Sequence, residues 1–205
     1  LEKYWKGVPY HRNMVDYGIH KLPLHYQRAC FHKDNAIYGL LDIAKDDDLI
    51  ISSDADEIAN PEVFRSLDWF DPANHFVLRG PVYYYVLNLE CEDKWMGPRV
   101  CTMGKLKTMS IDMLRESHAD AWKIDNAAWH WSFFGDADMV RSKMDAYEHQ
   151  ENNLPQFRDS MEERIEKGVD PYGRDYLYKP KVVPIDDSFP DYIVNNQDKL
   201  AKFIK

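Results

Sequence analysis

Long apolar runs are missing from this sequence, and no stretch reaches the length that a membrane-spanning helix needs. No signal peptide is recognisable either; because the chain starts at Leu1 rather than Met, an upstream targeting segment can have been removed. Cysteine is scarce. The three residues Cys30, Cys91 and Cys101 form no Cys-x-x-Cys pair, so a disulfide framework is not expected, although one Cys91–Cys101 bridge stays open. These absences favour the cytoplasm, with the Golgi lumen as the alternative if targeting sequence lies upstream.

Basic residues are in the minority. The 26 Lys and Arg residues stand against 35 Asp and Glu residues, a net charge of -9, and no basic stripe with interleaved aromatic residues occurs. This balance disfavours a nucleic-acid partner, because such a partner is held by phosphate contacts. An anionic substrate would therefore need a cation to bind here.

Glycine-rich phosphate loops are absent as well. Neither G-x-x-x-x-G-K-[ST] nor G-x-G-x-x-G occurs, so P-loop and common dinucleotide-binding sites are not predicted. H-E-x-x-H and G-x-S-x-G are also missing, so no motif supports a zinc protease or an α/β-hydrolase.

The composition of the chain, 44% hydrophobic and 14% aromatic, predicts one folded domain over residues 1–205. Helical and strand patterns alternate, which favours the α/β class with a mostly parallel central sheet flanked by helices. The predicted segments are a helix over Tyr26–Lys45, strands over Leu49–Ser53, His75–Arg79 and Val82–Leu89, an irregular stretch over Glu90–Lys107, and helices over Pro61–Leu67, Ala137–Gln150, Leu154–Lys167 and Pro190–Lys205.

Acidic residues directly follow the first of these strands, in the order Asp54-Ala55-Asp56-Glu57. In an extended segment Asp54 and Asp56 would point the same way, because the side-chain period is two. Carboxylate oxygens suit Mg²⁺ or Mn²⁺, which keep open positions for phosphates. The alternative is a plain solvated acidic loop.

A second group of candidate residues lies in the other half of the chain. His130 is flanked by Trp129 and Trp131 in a dense aromatic strand, and a helix capped by Asp136 follows. His130 is either a metal ligand or a satisfied core histidine. Farther along the chain, Lys143 either binds phosphate or is solvated, and Arg99 has the same two interpretations.

Three segments in the same order resemble family 17 glycosyltransferases, the β-1,4-N-acetylglucosaminyltransferase type. They are Asp47–Ile58, Trp129–Gly135 and Ala146–Asn152, with Lys143 just before the third. The resemblance covers roughly Ala36–Asp170. It implies a GT-A domain that binds a nucleotide sugar and inverts the anomeric centre.

By this resemblance, Asp54 and Asp56 match the family's D-x-D. Asp56 would hold Mn²⁺ or Mg²⁺, and Asp54 would hold the metal or the nucleotide ribose. Either His130 or His149 would add a metal ligand. Lys143 and Arg99 are the remaining candidates for cofactor binding.

An inverting transferase also needs a general base for the acceptor hydroxyl. The candidates are Glu57, Glu151 and Asp125, in that order of preference. The resemblance implies UDP-GlcNAc or another UDP-sugar as donor and a glycan or glycoprotein as acceptor.

The sequence departs from the family pattern in two places that weaken the donor and acceptor assignment: Ala59 stands where proline is usual, and Ala128 where glycine is usual. A microbial or viral enzyme with another donor sugar is one alternative. A nucleotidyltransferase or phosphohydrolase with a carboxylate-bound metal is another. The third is a carbohydrate-binding domain without catalysis.

Overall fold

The central feature of the fold is a curled seven-stranded sheet, seen in a computed structural model that describes residues 21–117, 119–147, 149–174 and 180–205, apart from the side chains of residues 92 and 93. The strands are β1 (Leu49–Ser52), β2 (Glu57–Ala59), β3 (Phe76–Tyr84), β4 (Leu89–Thr102), β5 (Trp122–Ile124), β6 (Ala128–Ser132) and β7 (Lys181–Val182). Their order is β1-β4-β3-β6-β2, with β5 paired to β3 and β7 paired to β4.

The protein is a mixed α/β fold, but the prediction of a mostly parallel sheet is wrong. Within the described residues, four strand pairings are antiparallel, and only β3–β5 and β3–β6 are parallel. The reason lies in β4, a strand of 14 residues in the stretch predicted to be irregular. Only residues 85–88 separate β3 from β4, and so short a connection forces antiparallel pairing.

Helices cover the sheet. The α-helices are α1 (Leu24–Asn35), α2 (Met103–Leu106), α3 (Ile111–Glu116), α4 (Ala137–Ala146), α5 (Pro155–Asp159), α6 (Met161–Lys167), α7 (Asp191–Val194) and α8 (Gln197–Leu200), and the 3-10 helices are Ala36–Gly39, Pro61–Phe64, Gln150–Asn152 and Ala201–Phe203. In the part of the chain that is described, none of the helices is long and apolar enough to cross a membrane.

Helix starts follow the sequence signals better than helix ends do. The Asp136 side chain accepts a hydrogen bond from Met139 N at 3.0 Å, so the predicted cap of α4 is confirmed. The same helix ends at Ala146, earlier than predicted. The helix predicted over Tyr26–Lys45 is also shorter, because α1 gives way to a 3-10 turn that ends at Gly39, a residue with low helix propensity.

A close approach of β3 and β6 places the strand that carries His130 beside the acidic turn at residues 54–57. A Cβ atom on Gly80 of β3 would lie 1.7 Å from the carbonyl oxygen of Ala128, so only glycine fits where β6 passes. Strand β6 then pairs His130 with Val82 on one side and with Glu57 of β2 on the other. The acidic turn before β2 is thereby held next to His130.

Two groups of buried side chains flank this region. Val82, Tyr84 and Phe133 pack with Val140 and Met144 of α4 beneath the sheet end. A separate cluster joins β4 to α2, α3 and the 3-10 helix Ala36–Gly39, and it contains Ile37, Cys101, Met103, Leu106, Ile111 and Leu114. All three cysteines are buried and free, so the bridge left open for Cys91 and Cys101 is not formed.

Candidate functional site

Four of the candidate residues, Asp54, Asp56, His130 and Lys143, line one open cleft of about 850 Å³. Helix α1 forms one part of the wall, the acidic turn together with β3 and β6 forms the floor, and α4 with the segment after α6 forms a further part of the wall. Its polar lining comprises His25, Arg28, His32, Lys33, Asp54, Asp56, His130, Ser132, Lys143, Asp145, Gln150 and Arg174, with Tyr84, Trp95, Phe133, Tyr147 and Tyr172 among the aromatic residues.

Asp56 lies at the centre of the floor. Its Oδ2 atom is 2.5 Å from Lys143 Nζ and 3.4 Å from His130 Nε2, and its backbone oxygen accepts from Trp131 N. Burial alone would raise the pKa of Asp56, but the adjacent His130 and Lys143 outweigh it and hold that pKa well below its usual range. Asp56 therefore stays ionised at every working pH.

Lys143 is positioned by its surroundings as well as by Asp56. Its ammonium lies 3.3 Å from Ser132 Oγ and 4.7 Å from the centre of the Phe133 ring. Because α4 starts at its Asp136 cap, Lys143 faces the cleft from the last turn of the helix. Its predicted part in cofactor binding stays a prediction.

Asp54 also lines the cleft, but a turn at Ala55–Asp56 replaces the predicted extended segment. The two carboxylates consequently bind different cations. Asp54 Oδ2 accepts from Arg115 Nη2 at 2.6 Å, whereas Asp56 pairs with Lys143. The prediction that Asp54 and Asp56 lie in one extended segment is therefore wrong, although both carboxylates line the same cleft.

Arg115, which the sequence gave no reason to single out, organises the acidic turn from α3. Besides Asp54 it binds Glu57 Oε2 at 2.7 Å, and its side chain is only 10% exposed. Burial acts to lower the pKa of Arg115, yet the hydrogen bond and charge of Glu57 raise it overall. Asp54 and Glu57 lie 61 and 58 residues before Arg115 in the sequence, and no local motif predicts contacts over such a separation.

Glu57 supports the site and does not face the cleft. Its side chain is fully buried and accepts from Arg115, from Trp95 Nε1 at 2.9 Å and from Asp54 N at 3.1 Å. Burial tends to raise the pKa of Glu57, but Arg115 and Trp95 lower it below the usual value. The first choice of general base is therefore corrected, since an acceptor hydroxyl cannot reach this carboxylate.

Arg99 likewise does not line the cleft. It is 1% exposed on β4, and its guanidinium donates to the carbonyl oxygens of Met96, Gly97 and Arg115. Burial lowers its pKa to about 10. Its predicted part in cofactor binding is corrected to a structural one, which holds the end of α3 against β4.

The other two base candidates differ in position. Asp125 pairs with Arg79 at 3.2 Å and does not line the cleft. Glu151 does not line the cleft either, but it follows Gln150, which does; His149 Nδ1 and the Tyr26 hydroxyl each lie 2.8 Å from its Oε1 atom. The hydrogen bond with His149 is the main reason that the pKa of Glu151 falls to about 2.

His130 and His149 are thus separated in role. His130 faces Asp56 in the cleft, while His149 is hydrogen-bonded to Tyr26 and Glu151 and does not line the cleft. Among the described residues, no group of three or more His, Cys, Asp or Glu side chains converges on one point that could hold a metal. The protein can therefore offer a divalent ion two ligands here, from Asp56 and His130.

These two ligands are chemically suited to Mn²⁺ or Mg²⁺. Within the described part of the chain, Asp56 Oδ1 carries no hydrogen bond, so one carboxylate oxygen is open to the cleft even while Lys143 holds the other. The carboxylate oxygen suits Mg²⁺ or Mn²⁺, whereas the imidazole nitrogen is a softer ligand and favours Mn²⁺ over the harder Mg²⁺; a partly coordinated ion keeps positions for phosphate oxygens.

Comparisons with family models, curated proteins and solved structures give no match to this chain. Its function is therefore argued from the geometry of the cleft.

Proposed function

We propose that this protein is a metal-dependent, inverting glycosyltransferase of the GT-A type, which uses UDP-GlcNAc or another UDP-sugar and acts on a glycan hydroxyl. The observation that carries the proposal is the meeting of Asp56, His130 and Lys143 on the floor of one cleft. A carboxylate, an imidazole and an ammonium at one point suit a metal-bound diphosphate. The sequence resemblance to family 17 glycosyltransferases gives the proposal its reaction class.

In this proposal Asp56 and His130 hold the metal, and the protein's own cation, Lys143, faces the phosphates. The bound ion would supply Lewis-acid stabilisation of charge on the departing diphosphate. Asp54 is kept in place by Arg115 and is available to the ribose or the ion through its other oxygen. Lys143 can release Asp56 and donate to a phosphate instead, because both partners lie in the cleft.

Glu151 is the carboxylate best suited to act as general base among the three candidates. It is the more exposed member of the pair that it forms with His149 and is open to a hydroxyl, although its lowered pKa makes it a weaker base than an ordinary glutamate. His149 and Tyr26 fix its orientation through their hydrogen bonds.

A second candidate function is a carbohydrate-binding domain in which the acids are structural. One observation favours it: both Asp54 and Asp56 are engaged in ion pairs with Arg115 and Lys143. Such a domain would bind glycans through the aromatic lining of the cleft and would need neither metal nor nucleotide.

The decisive experiment compares the wild-type protein with Asp56→Asn in an assay for UDP release from UDP-sugars in the presence of Mn²⁺. Loss of one charged ligand should lower turnover about 100-fold or more, since metal stabilisation of the leaving group is worth several kcal/mol. Asp46→Asn is the matched control, because Asp46 is an exposed acid that pairs with Lys107 outside the cleft.

Unchanged UDP release by the Asp56→Asn variant would overturn the proposal. Glycan binding without any nucleotide-sugar turnover in the wild type would support the binding domain instead. Thermal melts of both variants check that each is folded.

A further inference from the structure

One face of helix α1 is basic although the protein as a whole is acidic. Residues 25, 28, 29, 32 and 33 follow the i, i+3, i+4, i+7, i+8 spacing of a single helical face, and all five line the cleft. Four of them, His25, Arg28, His32 and Lys33, can carry a positive charge. A chain with net charge -9 thus turns a cationic face toward its cleft.

The side chains of this α1 face differ in whether an acidic residue lies beside them. Lys33 lies 3.6 Å from Asp112, and His25 lies 4.0 Å from Glu151. Arg28 and His32 are exposed, and in the part of the chain that the structure describes neither forms an ion pair or a hydrogen bond. The Arg28 guanidinium and the His32 imidazole are therefore available to a ligand.

We propose that the α1 face, centred on Arg28 and His32, is a phosphate-binding subsite on the wall of the cleft, in addition to the site at Asp56. A guanidinium binds phosphate through two parallel hydrogen bonds, and the His32 ring, which offers a further N–H donor, lies one helical turn away. Lys143 lines the same cleft and adds a second cationic side chain to it.

Two ligands could bring this phosphate. One is the diphosphate of a nucleotide sugar that extends across the cleft, and the other is an acceptor that itself carries a phosphate. The assignment of the subsite to a donor or an acceptor rests on the proposed function, whereas anion binding by α1 does not.

The test measures binding of inorganic pyrophosphate by calorimetry, in EDTA and low salt, to the wild type and to the double variant Arg28→Ala, His32→Ala. Removal of both cations should weaken binding at least about tenfold, since a charge-assisted hydrogen bond contributes about 1.5–3 kcal/mol. Arg65→Ala is the matched control, because Arg65 is an exposed arginine outside the cleft and should bind as the wild type does. Equal affinity of wild type and double variant, or no binding by either, would overturn the subsite.

Two further titrations, with UDP and with glucose 6-phosphate, distinguish the sources. A loss confined to UDP assigns the subsite to the donor, and a loss confined to the sugar phosphate assigns it to the acceptor. The proposed function can fail separately: pyrophosphate binding that depends on Arg28, in a protein that releases no UDP from any UDP-sugar, would support the subsite and refute the transferase.

Discussion

Replacing Arg115 with methionine is expected to destabilise the protein strongly, because it leaves a carboxylate buried without its charged partner. The Glu57 side chain is fully buried, and after the change it would keep only the indole N–H of Trp95 and the backbone N–H of Asp54 as donors. Breaking a buried ion pair by removing one partner typically costs about 3–5 kcal/mol. We expect a loss of this size in the free energy of unfolding at pH 7.

The loss should depend on pH in a defined direction. In the wild type the pKa of Glu57 is lowered, so its stabilising contribution is present above the pKa of the unfolded chain and is lost as pH falls through the folded value. Without Arg115, burial would raise the pKa of Glu57 instead. Protonation then relieves the penalty, so the difference between wild type and Arg115→Met should be smaller at pH 4 than at pH 7.

Urea unfolding at both pH values measures these differences. Adding Glu57→Gln to Arg115→Met should recover about 2 kcal/mol relative to the sum of the single changes, as expected for groups in direct contact. Arg65→Met, at an exposed pair with Glu62, should leave the urea midpoint close to that of the wild type. A cost below about 1 kcal/mol for Arg115→Met, or additive single changes, would refute the view that Arg115 compensates a buried charge.

Three other substitutions test separate parts of the structure. Burial raises the pKa of Asp34 to about 6, so the ionisation of Asp34 costs stability as pH rises from about 4 to 6. At pH 7.5 Asp34→Asn should therefore be more stable than the wild type by up to about 3 kcal/mol and melt at a higher temperature. The difference should be lost at pH 4. Gly80→Ala should cost more than about 3 kcal/mol in urea unfolding, because its Cβ would meet the Ala128 carbonyl; a cost under about 1 kcal/mol would contradict that contact. Asp136→Ala should cost about 1 kcal/mol by loss of the bond to Met139 N, and an unchanged melting temperature would show that the cap is dispensable.

Local signals in the sequence predict local structure well in this protein. The apolar run Leu49–Ser53 is a strand over Leu49–Ser52, and Asp136 caps a helix as expected. The helix predicted over Leu154–Lys167 ends at Lys167 as expected, because Gly168 follows it in the left-handed conformation, with φ of +70°. Each of these features depends on residues within a few positions of one another.

Features that depend on distant residues could not be predicted in the same way. Strand β4 contains Gly97 and Pro98 as well as charged residues, so its pattern resembles a loop, and its pairing with β1 and β3 decides that it is extended. The contact between Arg115 and Glu57 needs α3 to pack beside the acidic turn, which no spacing in the sequence indicates. For the same reason Glu57 and Arg99 could not be recognised as buried.

The most direct test of the proposed function is a thermal-shift series with UDP-, GDP-, CMP- and dTDP-sugars, each with Mn²⁺, Mg²⁺ or EDTA, on the wild type and Asp56→Asn. A ligand at 100 times its dissociation constant stabilises the native state by about 2.7 kcal/mol, which corresponds to a rise of roughly 5–10 °C for a domain of this size. We predict such a rise for a UDP-sugar with Mn²⁺, and its loss in EDTA and in the Asp56→Asn variant. No rise with any nucleotide sugar, or an equal rise in the variant, would contradict a metal-dependent donor site at Asp56.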